Sequence, residues 1–241
     1  MPDFSSLHTD FHAHLLPGID DGPDNPEDAI QLLSSLENLG YKTLVATPHV
    51  YSEIYPNTSQ TIKEAYDILI NHPKFSELSI ELYYSAEYFL DDYFCQLLED
   101  NDILPIGKNY VLVEMSAFSP YPGLKQVLFQ LQTQGYQPIL AHPERYLYFA
   151  EQWDMYEELK ERGCLFQANL LSFSGYYGRK VRKTAWKLLR NEMVDFVGTD
   201  AHHLNHIKQL KKFSLSRKGQ EMLQTYTFQN KKLGIQKKMV D

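Results

Sequence analysis

Short apolar runs alternate with longer amphipathic stretches along almost all of this 241-residue chain, and that alternation is the tightest constraint on its fold. The runs 7–11, 43–47, 79–86, 110–115, 138–141, 164–169 and 195–199 read as strands. Between them, 26–39, 61–71, 124–134, 155–162 and 179–191 carry the spacing of helices packed on one face. Strands separated by helices form parallel βαβ units. Seven of them over roughly 200 residues suit a barrel better than an open layered sheet. Punctuation agrees with the periodicity. Asn25-Pro26 supplies a cap and a first-turn proline, Gly40 a stop, and Gly135 and Gly163 end helices just before strands.

Composition narrows the class. A 43% hydrophobic content is enough for one core, and 22% charged residues is ordinary for a globular protein. The net charge of −8, with no basic arm or basic stripe, argues against nucleic acid as the main partner. No apolar run reaches membrane-span length, and the first residues lack a signal-peptide pattern. Cys95 and Cys164 make no disulfide framework, so a reduced, cytoplasmic protein is expected. One domain spanning 1–241 is expected, with 206–241 a helical extension packed on the barrel. The lysine-rich stretch 231–238 reads as a solvated tail.

Residues able to bind metal gather at the strand ends. His12 and His14 end the first strand, with Asp20-Asp21 in the turn beyond it; His49 ends the second, Glu87 the third and Glu114 the fourth. His142 ends the fifth, and Asp200 and His202 the seventh. In an α/β barrel the C-terminal strand ends build the active site, so these groups are expected to converge there. A histidine and carboxylate set without thiolate suits manganese, iron or zinc. Nine ligands suffice for three ions if one carboxylate bridges, and four carboxylates against three divalent cations leave about two positive charges, which attract a phosphate dianion.

These motifs resemble the PHP (polymerase and histidinol phosphatase) superfamily, and within it the bacterial tyrosine phosphatases of capsule and exopolysaccharide synthesis. The resemblance runs from His12 to His202. It is carried by His-x-His-x-x-Pro-Gly-Ile-Asp-Asp-Gly at 12–22, Ala-Thr-Pro-His at 46–49, Ala-Glu at 86–87, Val-Glu at 113–114, Ala-His-Pro-Glu-Arg at 141–145 and Thr-Asp-Ala-His at 199–202. It implies a distorted seven-stranded (β/α)7, TIM-like barrel of the PHP fold with three divalent ions, manganese first, with iron or zinc as the other choices. By resemblance His12, His14, Glu87 and Asp200 surround one ion. Glu87 bridges to a second held with Glu114 and His142, and Asp21, His49 and His202 hold the third. A bridging hydroxide would attack phosphorus in line, with Asp200 and His202 in the catalytic set and Arg145 on the phosphate. The expected substrate is a phosphotyrosyl protein, with a bacterial tyrosine kinase as partner.

The family commonly has an arginine shortly after the last histidine, where this chain reads His202-His-Leu-Asn-His-Ile-Lys208; His206 or Lys208 is the available substitute. Asn169 stands at the same rim as a substrate contact or loop cap, and Asp10 is a candidate partner behind the histidine pair. Tyr51, Tyr55, Phe118, Tyr121, Tyr146, Tyr176 and Tyr177 fall on the loops after strands and could stack on a substrate ring. Cysteine chemistry does not fit: a phosphatase of that kind needs Arg six positions after its Cys, and here stand Asn101 and Leu170. The competing readings are a small-molecule phosphomonoesterase of histidinol-phosphatase type, a nuclease-like PHP domain, and a metal-stabilised regulatory module without turnover.

Overall fold

A computed structural model describes residues 4–233 and 235. Among the described residues there are nine strands: β1 (Thr9–Ala13), β2 (Thr43–Ala46), β3 (His49–Val50), β4 (Glu81–Tyr84), β5 (Glu87–Phe89), β6 (Tyr110–Glu114), β7 (Gln137–Ala141), β8 (Leu165–Asn169) and β9 (Phe196–Gly198). Ten helices connect or follow them: α1 (Pro26–Asn38), α2 (Ser59–Ile70), α3 (Asp92–Glu99), α4 (Leu124–Thr133), α5 (Leu147–Ala150), α6 (Trp153–Glu161), α7 (Leu170–Ser174), α8 (Arg179–Arg190), α9 (Leu204–Leu215) and α10 (Arg217–Thr225). The expected strands and helices are all found, with ends moved by a few residues. The sequence reading passed over α3, whose Asp91 side chain caps the Phe94 amide.

The protein is an α/β fold with two parallel sheets, ordered β1-β2-β4 and β3-β5-β6-β7-β8-β9. Two short strands lie beyond the seven expected ones: β3 and β5 continue the paths of β2 and β4 after a break. Pro48 interrupts one path between β2 and β3, because proline has no N–H for the ladder. Ser85-Ala86 interrupts the next, between β4 and β5. Hydrogen bonds still cross the breaks: Ser85 N–H donates to Ala46 O (2.8 Å) and Glu87 N–H to Pro48 O (3.0 Å). At the other side, Asp200 N–H donates to His12 O (2.8 Å) and His14 N–H to Ala201 O (2.9 Å).

Below those bonds the gap between β1 and β9 is filled by a side chain. Asn230 is 1% exposed; its amide donates to Thr9 O (2.9 Å) and Val197 O (2.7 Å) and accepts from Val197 N–H (3.2 Å). The segment after α10 therefore does more than lie on the outside. Leu233 joins Phe11, Val45, Leu112, Ile139 and Phe196 in a small inner cluster enclosed by strands, while the larger core lies between strands and helices. Strands apolar on both faces are what such double coverage requires. Of the lysine-rich stretch, 234 and 236–238 lie outside the described residues. No described helix is long and apolar enough to cross a membrane.

Candidate metal centre

β1 is not a regular strand. Its partners run Thr9↔Thr43, Asp10↔Leu44, then Ala13↔Ala46, so it carries one extra residue against β2. Such a bulge re-aims side chains. It lets Phe11 enter the inner cluster while His12, its neighbour, reaches the site. The expectation that every ligand follows its strand is corrected accordingly: His12 lies within β1, His49 opens β3 and Glu87 opens β5. Two other site residues leave their strands through left-handed backbone, His142 (φ 34°) and Asp200 (φ 50°). That conformation is uncommon outside glycine and is tolerated where surrounding structure enforces it.

All nine expected ligands come together around Glu87, which is fully buried. Its Oε2 lies 3.2 Å from His12 Nε2, 3.4 Å from His14 Nε2 and 3.3 Å from His49 Nδ1. None of these four atoms makes a hydrogen bond of acceptable geometry. Buried polar atoms are nearly always paired, so four unpaired ones pointing at each other mark a place built for a cation. Around them, Asp200 Oδ1 lies 3.5 Å from His12 Nε2 and 3.4 Å from His14 Nε2. His142 Nε2 lies 3.0 Å from Glu87 Oε1 and 3.8 Å from Glu114 Oε2. Asp21 Oδ1 is 3.3 Å from His202 Nε2 and 3.6 Å from His49 Nε2.

Three groups emerge with donor atoms close enough to share an ion: His12, His14, Glu87 and Asp200; His14, Asp21, His49 and His202; and His49, Glu87 and Glu114. The first matches the expected set. In the third, His49 rather than His142 completes the group, its Nδ1 lying 2.9 Å from Glu114 Oε1 where His142 Nε2 is 3.8 Å from Glu114 Oε2, although His142 is the nearer of the two to Glu87. His49 thus presents one nitrogen to each neighbouring group, although a neutral imidazole has one lone pair to give.

Residues behind the ligands fix the ring orientations, and sequence reasoning missed two of them. Gln167 Oε1 accepts from His12 Nδ1–H (2.6 Å), and Asp20 Oδ2 accepts from His14 Nδ1–H (2.7 Å). Both rings are thereby oriented with Nε2, the nitrogen left for a metal ion once its proton is displaced, toward the site. Asp20, which looked like turn chemistry, also accepts from the amides of Gly22 and His49. A Cβ on Gly22 would stand 2.8 Å from the His14 carbonyl oxygen. Gln167 gave one signal: a polar residue in an apolar strand, two before Asn169 and so on the same face. His202 Nδ1 donates to Asp200 O (2.9 Å).

Asn169 is fully buried and donates to Asp200 Oδ2 (2.6 Å), where Arg145 Nη1 also donates (3.1 Å). Arg145 does not pair with Glu144. The buried Glu144 instead accepts from Asn169 N–H (2.9 Å) and Ser172 Oγ (2.6 Å), fastening the His-Pro-Glu-Arg turn to α7. Asp10 accepts from Thr199 and from the His12 amide, so it ties β1 to β9 without touching a ligand ring.

Charges in this cluster reinforce one another. Burial pushes the His12 pKa down, but Glu87 and Asp200 outweigh it and raise it to about 9. His14 is likewise raised against burial, chiefly by Asp20. Asp21 is drawn down to about 2, burial being overcome by His202. Glu87 and Asp200 fall below the usual carboxylate range despite burial, with His12 the main attraction for both. The carboxylate field that holds protons on these imidazoles is the field that draws divalent cations. His206 goes the other way: burial and the neighbouring His203 and His202 lower it to about 4. Its Nδ1 accepts from His202 N–H (3.2 Å). A neutral His206 can offer an N–H but no charge in place of an arginine.

The cluster floors an open cavity of about 800 Å³. Of the loop aromatics, Tyr51, Tyr55, Phe118, Tyr146 and Tyr177 line it, with Ile54. Tyr121 and Tyr176 do not line it. Phe118 is 94% exposed, whereas Tyr146 is buried and accepts from Met115 N–H (3.0 Å).

Residues 8–235 match the family model described as capsular polysaccharide synthesis, CpsB/CapC. The chain belongs to the CpsB/CapC family. CapC of Staphylococcus aureus is 31% identical over 83% of this chain and 81% of its own length. The tyrosine-protein phosphatase YwqE of Bacillus subtilis is 28% identical over 81% and 77%, and the tyrosine-protein phosphatase CpsB of Streptococcus pneumoniae 27% over 81% and 83%. A crystal structure from work on YwqE and CpsB, described there as metal-dependent tyrosine phosphatases, superposes with a TM-score of 0.77 at 24% identity, covering 91% of this chain and 96% of the other. Histidinol phosphate phosphatase of Lactococcus lactis shares the fold more loosely, with a TM-score of 0.54 at 13% identity. This CpsB/CapC chain keeps its ligand-capable side chains in one cluster, as its motifs led one to expect.

Proposed function

We propose that this CpsB/CapC protein is a metal-dependent protein-tyrosine phosphatase acting in capsular polysaccharide synthesis. The observation that carries the reading is the knot of unpaired imidazole nitrogens around Glu87 Oε2, on the floor of a cavity that also presents an arginine. On this reading His12, His14, Glu87 and Asp200 hold one ion; Glu87, Glu114 and His142 a second; and Asp21, His49 and His202 a third. His14 belongs to the first because Asp20 already occupies its Nδ1. The donor set favours manganese, with iron or zinc next. Bound ions would supply the Lewis-acid activation of water and of the phosphoryl group.

The protein's own side chains do the rest. Arg145 lies over the Tyr177 ring (5.0 Å), and its side chain is 36% exposed to the cavity. Asp200 anchors one of its nitrogens, leaving the outer edge of the guanidinium for phosphate oxygens. Asn169 positions Asp200 by locking the same oxygen. His206 can donate from Nε2 at the cavity wall. A tyrosine leaving group has a pKa near 10, so its departure asks less of a proton donor than that of a serine alcohol, in keeping with the neutral His206. The aromatic rim from Tyr51 to Tyr177 suits a substrate ring better than a small polar alcohol.

The two sheets we read as one distorted seven-stranded barrel, because β2–β3 and β4–β5 are single paths and backbone bonds join β1 to the end of β9. The whole chain is then one domain. The free thiols Cys95 and Cys164 fit a reducing cytoplasm, and a phosphotyrosyl kinase is the expected partner. The test is hydrolysis of phosphotyrosyl peptide, phosphoseryl peptide and histidinol phosphate by chelator-stripped protein before and after adding Mn2+. Mn2+-dependent turnover of the phosphotyrosyl peptide alone is expected, with Arg145→Ala reducing its kcat/KM by about 10²-fold, the scale for losing a donor to developing charge. Preference for histidinol phosphate, or no turnover with any metal, would overturn the proposal.

A further inference from the structure

A strongly basic surface begins beside the active-site mouth, in a chain whose net charge is −8, and it corrects the expectation that there is no basic stripe. α8 carries Arg179, Lys180, Arg182, Lys183, Lys187 and Arg190 and no carboxylate. Two clefts flank it. One of about 510 Å³ is lined by Arg182 with Lys212, Arg217 and Lys218 from α9 and α10; the other, of about 620 Å³, is lined by Arg179, Arg182, Lys183, Arg190 and Lys218. Arg182 and Lys218 line both, so the clefts run together. Among the described residues, Arg179, Arg182, Lys183, Lys212, Arg217 and Lys218 form no ion pair with a carboxylate within 4.0 Å. Elsewhere Lys63, Lys125, Lys160 and Arg162 do. Clustered, unpaired like charges repel one another; of the basic side chains on α8, Lys187 and Arg190 lie over the rings of Trp153 and Trp186.

The surface connects to the catalytic cavity. Tyr177, under Arg145, lines that cavity, while its neighbour Tyr176 lines the first basic cleft. Their rings meet edge to face at 5.0 Å, and Tyr176 also meets His206 of the cavity wall at 5.4 Å. The tyrosine pair is thus the ridge between the two, and α8 starts directly behind it at Arg179. Twelve helical residues extend about 18 Å, a length that five or six residues of extended peptide span.

We infer that this track docks an acidic segment of the substrate's own chain, a few residues to one side of the phosphotyrosine. The inference rests on the phosphatase reading and specifies its substrate class: phosphotyrosyl proteins with Asp- or Glu-rich sequence flanking the tyrosine. Continuity with the mouth favours a segment covalently joined to the phosphotyrosine over a separate anionic body such as a lipid surface. Docking of this kind accelerates encounter and lowers KM while leaving the chemical step alone.

The experiment uses the Mn2+-loaded full chain and its Arg179→Gln/Lys183→Gln/Lys218→Gln variant. Substrates are a phosphotyrosyl peptide with a five-residue acidic tract, the same peptide with the tract neutralised to Gln, and p-nitrophenyl phosphate. The variant is expected to lose about tenfold in kcat/KM on the acidic peptide, two- to threefold per exposed pair, through KM. It should match the wild type on the neutral peptide and on p-nitrophenyl phosphate. The acidic preference should vanish near 1 M NaCl, where the screening length is about 3 Å. Equal kcat/KM of the wild type on both peptides, or equal losses by the variant on all substrates, would overturn the inference. So would loss in the variant of binding to phosphatidylserine vesicles when the peptides are not distinguished. Fluorescence anisotropy of the labelled acidic peptide reads docking without turnover. Charge-dependent binding by a protein inert toward every phosphate ester would sink the phosphatase reading and keep the track.

Discussion

Metal binding by this site should release protons, and the number follows from the cluster's geometry. His12 is fully buried between Glu87 and Asp200, and its pKa stands at about 9 instead of 6.5. A raised pKa means that the protonated ring is the resting form at neutral pH, and a metal ion can bind only after displacing that proton. At pH 7 a group of pKa 9 is about 99% protonated, which weakens apparent metal affinity about 100-fold; at pKa 6.5 the penalty is about 1.3-fold. His14, raised by Asp20, contributes a second displaced proton. Through His12 alone the logarithm of the apparent association constant should therefore climb by about one per pH unit from 6.5 to 8.5, roughly 80-fold in all, against about twofold for one ordinary histidine, and the His14 proton adds to that slope. Free Mn2+ measured by electron paramagnetic resonance over chelator-stripped protein reads the constant directly. Calorimetry in buffers of different ionisation enthalpy counts the protons. His12→Gln should cut the slope by about one. A slope below one throughout this range would refute the argument that the carboxylate field dominates over burial.

Three further outcomes are expected. Asn230→Ala leaves Thr9 O and both Val197 backbone groups unpaired in the interior; it should cost at least about 3 kcal/mol of stability, the lower end of 1–3 kcal/mol for each of three orphaned groups, seen in chemical denaturation, with the metal-site side chains untouched. Gly198→Ala would bring a Cβ within 2.8 Å of both His12 Cβ and Gln167 Nε2, so Mn2+ affinity should fall at least tenfold while the folded content by circular dichroism stays near wild type, on the scale of disturbed outer-shell partners. Cys164 is buried, and burial lifts its thiol to about 12; iodoacetamide at pH 8 should leave it unmodified in the native protein, and Cys95→Ala/Cys164→Ala should retain turnover, since thiolate is the reactive form.

The α/β class and the side chains that gather around Glu87 were legible in the sequence because both rest on local physics. A strand buried on two faces must be an apolar run, a helix on one face must repeat every three to four residues, and a ligand needs a histidine or carboxylate where the strand meets its loop. Asn25, Gly40 and Gly163 punctuate those elements within a residue or two of where the structure does. What the residues alone could not give was anything depending on which distant atoms meet. The bulge that turns His12 inward depends on β2 as partner. Gln167 drew no notice in the sequence and Asp20 stood only in a turn, yet their oxygens meet imidazole nitrogens. Arg145 had Glu144 as its nearest carboxylate in the chain, yet the left-handed Asp200 captures it from 55 positions away. Asn230 filling the space between β1 and β9 has no local signature whatever. Periodicity and residue type determined which elements form and which side chains can bind a cation. Tertiary structure decided which lone pair of each ring faces the site and which charge each group feels, because those depend on distances of about 3 Å between residues the chain brings together only by folding.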